Sequence, residues 1–73
     1  MRITYDRRAN AAYIYFTEDP LTPGRQSVPL DPPGGKQAFI VADWKDGKIV
    51  GLEILDATDH LHRDFLDQAE IIG

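Results

Sequence analysis

Cysteine is absent from the 73-residue chain, which removes disulfides, thiolate zinc sites and Cys-x-x-Cys redox chemistry. No apolar run approaches the ~20 residues of a membrane-spanning helix. The opening Met-Arg-Ile-Thr-Tyr lacks the apolar stretch of a signal peptide, so a cytoplasmic protein of bacterial type is expected. Positive charge is scarce: eight Lys and Arg face twelve Asp and Glu, a formal net charge of −4. That balance disfavours nucleic acid and anionic membrane, whose binders carry a basic patch. The small cluster of Arg2, Arg7 and Arg8 reads as a solvated rim.

Bulk is short as well. A chain of this size buries only about 60% of the surface its unfolded form exposes, so one marginal core is expected. Small folds usually add a disulfide, a metal or association with another chain. With disulfides excluded, self-association or a partner protein is the expected supplement. What is present is a folding composition, 42% apolar and 10% aromatic, rather than a disordered one.

Residues 2–5 alternate, Ile3 and Tyr5 against Arg2 and Thr4, and residues 12–16 alternate Ala12, Ile14 and Phe16 against Tyr13 and Tyr15. Both segments read as strands, and the polar connection 6–11 has hairpin length. Placing Ile3 opposite Ile14 sets Tyr5 opposite Ala12. All five prolines and Gly24, Gly34 and Gly35 fall in 17–38. This stretch reads as a Pro/Gly-rich connection, with an irregular edge strand at most around Arg25–Leu30. Pro33-Gly34-Gly35-Lys36 lacks the spacing and the following helix of a phosphate loop.

Phe39–Trp44 and Ile49–Leu55 flank Lys45-Asp46-Gly47-Lys48, where Asp46-Gly47 marks a type I′ hairpin turn. A two-residue turn sets Lys45 opposite Lys48 and Trp44 opposite Ile49. Extended outward without interruption, that register collects Phe39, Val41, Val50, Leu52 and Ile54 on one face, with Asp43 at its rim. The other face then carries Ile40, Ala42, Trp44, Ile49, Gly51, Glu53 and Leu55. The water-facing side of an antiparallel sheet is normally polar, so this second apolar face points to a contact with another chain.

Asp56-Ala57-Thr58-Asp59 is a cluster of capping residues. Leu61, Phe65, Leu66 and Ala69 follow at helical spacing. They predict one amphipathic helix from about Asp59 to Ala69, capped by Thr58 or Asp56. The apolar end Ile71-Ile72-Gly73 is expected to tuck under the sheet or to make an exchange contact.

The opening Ile-Thr-Tyr-Asp, then Ala11-Ala12-Tyr13-Ile14, then the run from Asp46 to Ala57 resemble a small bacterial family catalogued as domain of unknown function 2283. The likeness extends from residue 2 to about 58, and Val50-Gly51-x-Glu53-Ile54-Leu55 is its most specific part. The resemblance implies a fold and no established activity. Some members resemble antitoxins in being small, acidic and encoded beside small basic proteins, which implies a protein partner. The central segment departs from the family pattern, with proline and glycine in place of a more regular polar strand.

Among chemistry-bearing residues, Asp56, Asp59, His60, His62 and Asp64 are the one group of metal-ligand types. On a helix only His60 and Asp64 share a face, fewer than the three or four ligands zinc requires. Acids at a helix start cap it and complement its dipole. Glu53, mid-strand among apolar neighbours, reads as a structural carboxylate that pairs with an arginine such as Arg2, or accepts amide hydrogen bonds from the helix start or a neighbouring chain. In the uninterrupted register it opposes Ile40, while Asp43 opposes Val50, so the two acids project to opposite faces. Ser27 has no histidine near it in sequence. Tyr5, Tyr13 and Tyr15 read as packing or interface residues. Gly51 marks a bulge or a close backbone approach across from Ala42, with room for the Trp44 indole to lean over it.

These readings combine into one α+β domain over 1–73. It consists of a small antiparallel sheet of four to five strands, built from two hairpins, with one C-terminal helix packed on it. The expected function is a protein–protein interaction module, a homodimer or an antitoxin-like partner of a small basic protein. Its expected interface is Tyr13, Tyr15, Ile40, Trp44, Ile49 and Leu55; Asp46, Gly47, Gly51, Glu53, Asp56 and Thr58 are structural. No cofactor or metal is expected. The alternative is a small metal-dependent hydrolase or other enzyme using Glu53 with the His60/His62 cluster.

Overall fold

The computed structural model describes residues 1–73. Six strands form one sheet: β1 (Arg2–Asp6), β2 (Ala11–Tyr15), β3 (Gln26–Leu30), β4 (Ile40–Lys45), β5 (Lys48–Leu55) and β6 (Glu70–Ile72). Their spatial order is β3-β4-β5-β2-β1-β6. Two single-turn helices, α1 (Ala57–His60) and α2 (Arg63–Leu66), precede β6. No helix is long and apolar enough to cross a membrane.

Both hairpins form where turn chemistry and alternation place them. In the first, Ile3 pairs Ile14 and Tyr5 pairs Ala12. Asp6 Oδ1 accepts from the amides of Arg8 and Ala9, which turns the chain. In the second, Asp46 and Gly47 both have positive φ, 52° and 77°, as a type I′ turn requires. Lys45 pairs Lys48 and Trp44 pairs Ile49.

Four expectations are corrected. First, the sheet has six strands and is mixed, because Ile71 and Ile72 belong to β6, which pairs parallel to β1. Second, the prolines do not prevent β3 from pairing in regular register with β4. Pro29 is tolerated because β3 is an edge, where one amide has no sheet partner to serve. Third, the C-terminal helix is broken at Leu61, which is extended (φ −116°, ψ 141°). His62 then starts a new turn by accepting from the Asp64 amide at 3.1 Å. Fourth, the hairpin register shifts by one residue between Asp43 and Trp44.

That bulge rearranges both faces. Past Trp44–Ile49 the next pair is Asp43–Gly51, followed by Ala42–Leu52, Val41–Glu53 and Ile40–Ile54, so Val50 is the extra residue. Its carbonyl is used elsewhere, accepting from the Phe16 amide at 3.0 Å. Ile40, Ala42, Leu52 and Ile54 therefore share a face, joined by Ala12 and Ile14 of β2, and α1 and α2 lie over one half of it. Buried Ala12, Ile54 and Ala57 form the centre, with Phe39, Leu61 and Leu66 packed around them. Only eight residues are buried, and none is a large side chain fully enclosed.

Candidate functional site

The helix-free face of the sheet carries a connected polar cluster that the uninterrupted register could not produce. The bulge brings Asp43 opposite Gly51 on this face, with Ser27 of β3 as its other neighbour. Tyr13 of β2 lies diagonally across Gly51. Its hydroxyl passes over that residue and donates to Asp43 Oδ2 at 2.5 Å. Ser27 Oγ donates to Asp43 Oδ1 at 2.5 Å, and the Arg25 guanidinium lies 3.5 Å from Oδ2. Asp43 is thus 3% exposed on a face with no helix over it. The cluster links β2, β4 and β3 across the intervening β5.

Gly51 makes this possible. A Cβ at that position would run into the Tyr13 hydroxyl and ring. The bare backbone therefore receives Tyr13, not the Trp44 indole, and lies across from Asp43, not Ala42. Asp43 is a buried acid at the centre of the sheet, not a rim residue. It also shares a face with Glu53, contrary to the expectation that the two acids diverge.

The electrostatics hold the cluster in one arrangement. Burial first, then the hydrogen bond and charge of Asp43, push the Tyr13 hydroxyl well above the ordinary tyrosine range. Tyr13 therefore stays a neutral donor. Both Asp43 oxygens already accept from neighbours, and no buried side-chain polar atom lacks a partner. Such satisfied networks rigidify a structure. Beside this cluster the Tyr13 and Tyr15 rings pack at 4.6 Å. Arg2 lies 4.8 Å over Tyr15 and pairs with Glu70 at 3.2 Å. Glu53, half-buried between Tyr13 and Val41 in register, is not the partner of Arg2.

The residues of the hydrolase alternative are separated. Glu53 projects on the helix-free face, whereas α1 and its His60 belong to the other. His60 stacks on Phe39 at 3.6 Å with the rings 3° from parallel, and its Nδ1 lies 3.0 Å from the carbonyls of Leu55 and Asp56. His62 caps α2. No group of three or more His, Cys, Asp or Glu side chains converges.

The start of α1 is served by Asn10, which the sequence reading passed over. Asn10 has φ 51° in the β1–β2 turn. Its carbonyl oxygen accepts from the Ala57 amide at 2.9 Å. The side chain accepts from the Thr58 amide and donates to Thr58 Oγ1. Thr58 and Asp56 therefore do not cap their own helix: Asp56 takes a left-handed conformation with no capping hydrogen bond. The missed signal was an asparagine in a turn, where its side chain tolerates positive φ.

The predicted interface residues divide between the two faces. Tyr13, Tyr15 and Leu55 lie on the side of the polar cluster; Ile40, Trp44 and Ile49 lie on the helix-bearing side. No single flat contact uses all six. On the helix-bearing side α1 and α2 cover the half near Leu61 and Leu66 only. The other half presents Val28 and Leu30 of β3, Trp44, Ile49 and Phe16, all exposed. Val28 pairs Ala42 and Leu30 pairs Ile40, so this apolar strip runs continuously across four strands, about 14 Å at the usual strand spacing.

A family model described as a protein of unknown function, DUF2283, matches residues 2–57. The chain belongs to this family. The matched segment contains β1 to β5, the bulge and every member of the Asp43 cluster, and ends where α1 begins. No curated protein and no solved structure matches the chain. Within this DUF2283 chain, Gly51 and its neighbours Tyr13 and Asp43 all fall inside the matched segment.

Proposed function

We propose that this DUF2283 chain is a protein-association module that docks another polypeptide on the helix-free half of its helix-bearing face. The observation that carries the reading is the continuous exposed strip of Val28, Leu30, Trp44, Ile49 and Phe16. Scattered exposed apolar residues are ordinary on a protein surface, but a contiguous strip rimmed by polar side chains marks a contact. Trp is among the residues that dominate binding energy at such contacts. The opposite face differs in being charged: it carries Glu53, Lys45 and Lys48 together with the pairs Arg2–Glu70 and Arg25–Asp43.

The test uses the cysteine-free background. Val28→Cys carries a benzophenone photo-crosslinker on the strip, and Arg2→Cys carries it on the opposite face as the control. Polypeptide adducts formed at position 28 and not at position 2 are the expected result. Equal labelling at both positions, or none at 28, overturns the reading.

A further inference from the structure

We infer that the occupant of this strip is a second copy of the same chain, packed face to face about a two-fold axis. The inference rests on the proposed docking surface and names its partner. Three features of the molecule carry it.

The first is surface. A folded monomer of 8.2 kDa exposes about 4,500 Å² by the usual scaling of area with mass. This chain exposes 5341 Å². The surplus is about 800 Å², the area one partner contributes to a standard stable interface. Shape agrees with area. The chain is a slab of 32 × 31 × 19 Å, because one sheet is half covered on one side and uncovered on the other. Stacking two slabs on their apolar halves gives a body about as thick as it is wide.

The second feature is the edge. β3 borders the strip, and all five of its residues are exposed. Pairing of two β3 edges into a continuous sheet is the obvious rival geometry. Pro29, the fourth of the five residues of β3, offers no amide donor, a common device against edge-to-edge pairing. That leaves face-on packing, in which Trp44 and Ile49 contribute side-chain surface rather than backbone hydrogen bonds.

The third feature is the absence of charge on the strip. Gln26, Val28 and Leu30 of β3, Ile40, Ala42 and Trp44 of β4 and Ile49 of β5 share this face, whereas the neighbouring pair Lys45–Lys48 alternates to the other side of the sheet. A two-fold contact requires a self-complementary surface, since residue i of one copy meets residue j of the other and the reverse. An uncharged apolar strip meets that requirement. A uniformly basic partner would find no carboxylate among these residues.

Sedimentation equilibrium of the purified chain, from micromolar to near-millimolar concentration, tests the inference. The expected mass is twice that of the chain. Trp44→Ser with Ile49→Ser is expected to raise the dissociation constant about thirtyfold or more, the effect of losing one hot-spot side chain, with the far-ultraviolet circular dichroism unchanged. Should that double variant unfold, Val28→Arg on the exposed edge decides, and it too is expected to give the monomer mass. A wild-type chain that stays monomeric throughout overturns the second copy. The docking surface then survives only if the crosslinker at position 28 yields an adduct of another mass. A dimer unaffected by all three substitutions overturns both.

Discussion

Tyr13 reaches Asp43 two strands away because residue 51, on the strand between them, has no side chain. The hydroxyl–carboxylate bond of 2.5 Å and the absent Cβ are one feature seen from two sides. Gly51→Ala places a methyl group where the Tyr13 hydroxyl and ring now lie. Overpacking of this kind costs about 1–3 kcal/mol. The cost is expected to fall in a Tyr13→Ala background, where the space is free. A double-mutant cycle from urea unfolding midpoints measures the coupling. Additive effects would show that the ring does not depend on Gly51.

Asp43 holds three neighbours at once. Asp43→Ala leaves the Tyr13 and Ser27 hydroxyls without their acceptor and the Arg25 guanidinium without its counter-charge. A loss of about 2–4 kcal/mol is expected. Asp43→Asn keeps an acceptor for one hydroxyl and is expected to cost less. Chemical denaturation of the two variants checks the order, and equal losses would mean that charge, rather than hydrogen bonding, carries the cluster.

The raised Tyr13 fixes the direction of an alkaline pH dependence. In the unfolded chain tyrosine loses its proton near pH 10; in the folded chain Tyr13 loses it only at higher pH. Above the ordinary tyrosine range the unfolded state therefore binds fewer protons than the native state. Stability is fully present below that range and falls as pH rises through it. Tyr13→Phe is expected to flatten this decline relative to wild type. Melting temperatures across the alkaline range, with tyrosinate absorbance followed in parallel, test the sign.

Asn10 replaces the cap that the C-terminal segment does not make for itself. Asn10→Ala removes the bonds to the Thr58 amide and hydroxyl and is expected to cost about 1–2 kcal/mol. Faster hydrogen exchange at the Thr58 amide would locate the loss at α1. Thr58→Ala, which removes one partner of that side chain, is expected to cost less.

A metal titration separates this account from the hydrolase alternative. A ligand that binds the folded state alone must raise the melting midpoint. With Glu53 and His60 on opposite faces, zinc, manganese and nickel are expected to leave the midpoint unchanged. A rise that disappears in His60→Ala would reinstate the metal reading.

The hairpins were legible in the residues because their signals are local. Asp46-Gly47 dictates a positive-φ turn, and the alternation of Ile3 and Tyr5 with Ile14 and Ala12 sets the first register. The family likeness was legible for the same reason, being carried by short strand and turn segments. The bulge at Val50 was not legible. One extra residue exchanges the faces of everything beyond it, and its benefit appears only when Asp43 finds Tyr13 and Ser27 and when Ala42 and Ile40 join Leu52 and Ile54 under the helices. The split helix and parallel β6 were hidden likewise, since helical spacing in Leu61, Phe65 and Leu66 is compatible with two packed turns. Local chemistry thus specified turns and strand pairing within each hairpin, while the assignment of side chains to faces was decided by contacts distant in sequence, which no local pattern encodes.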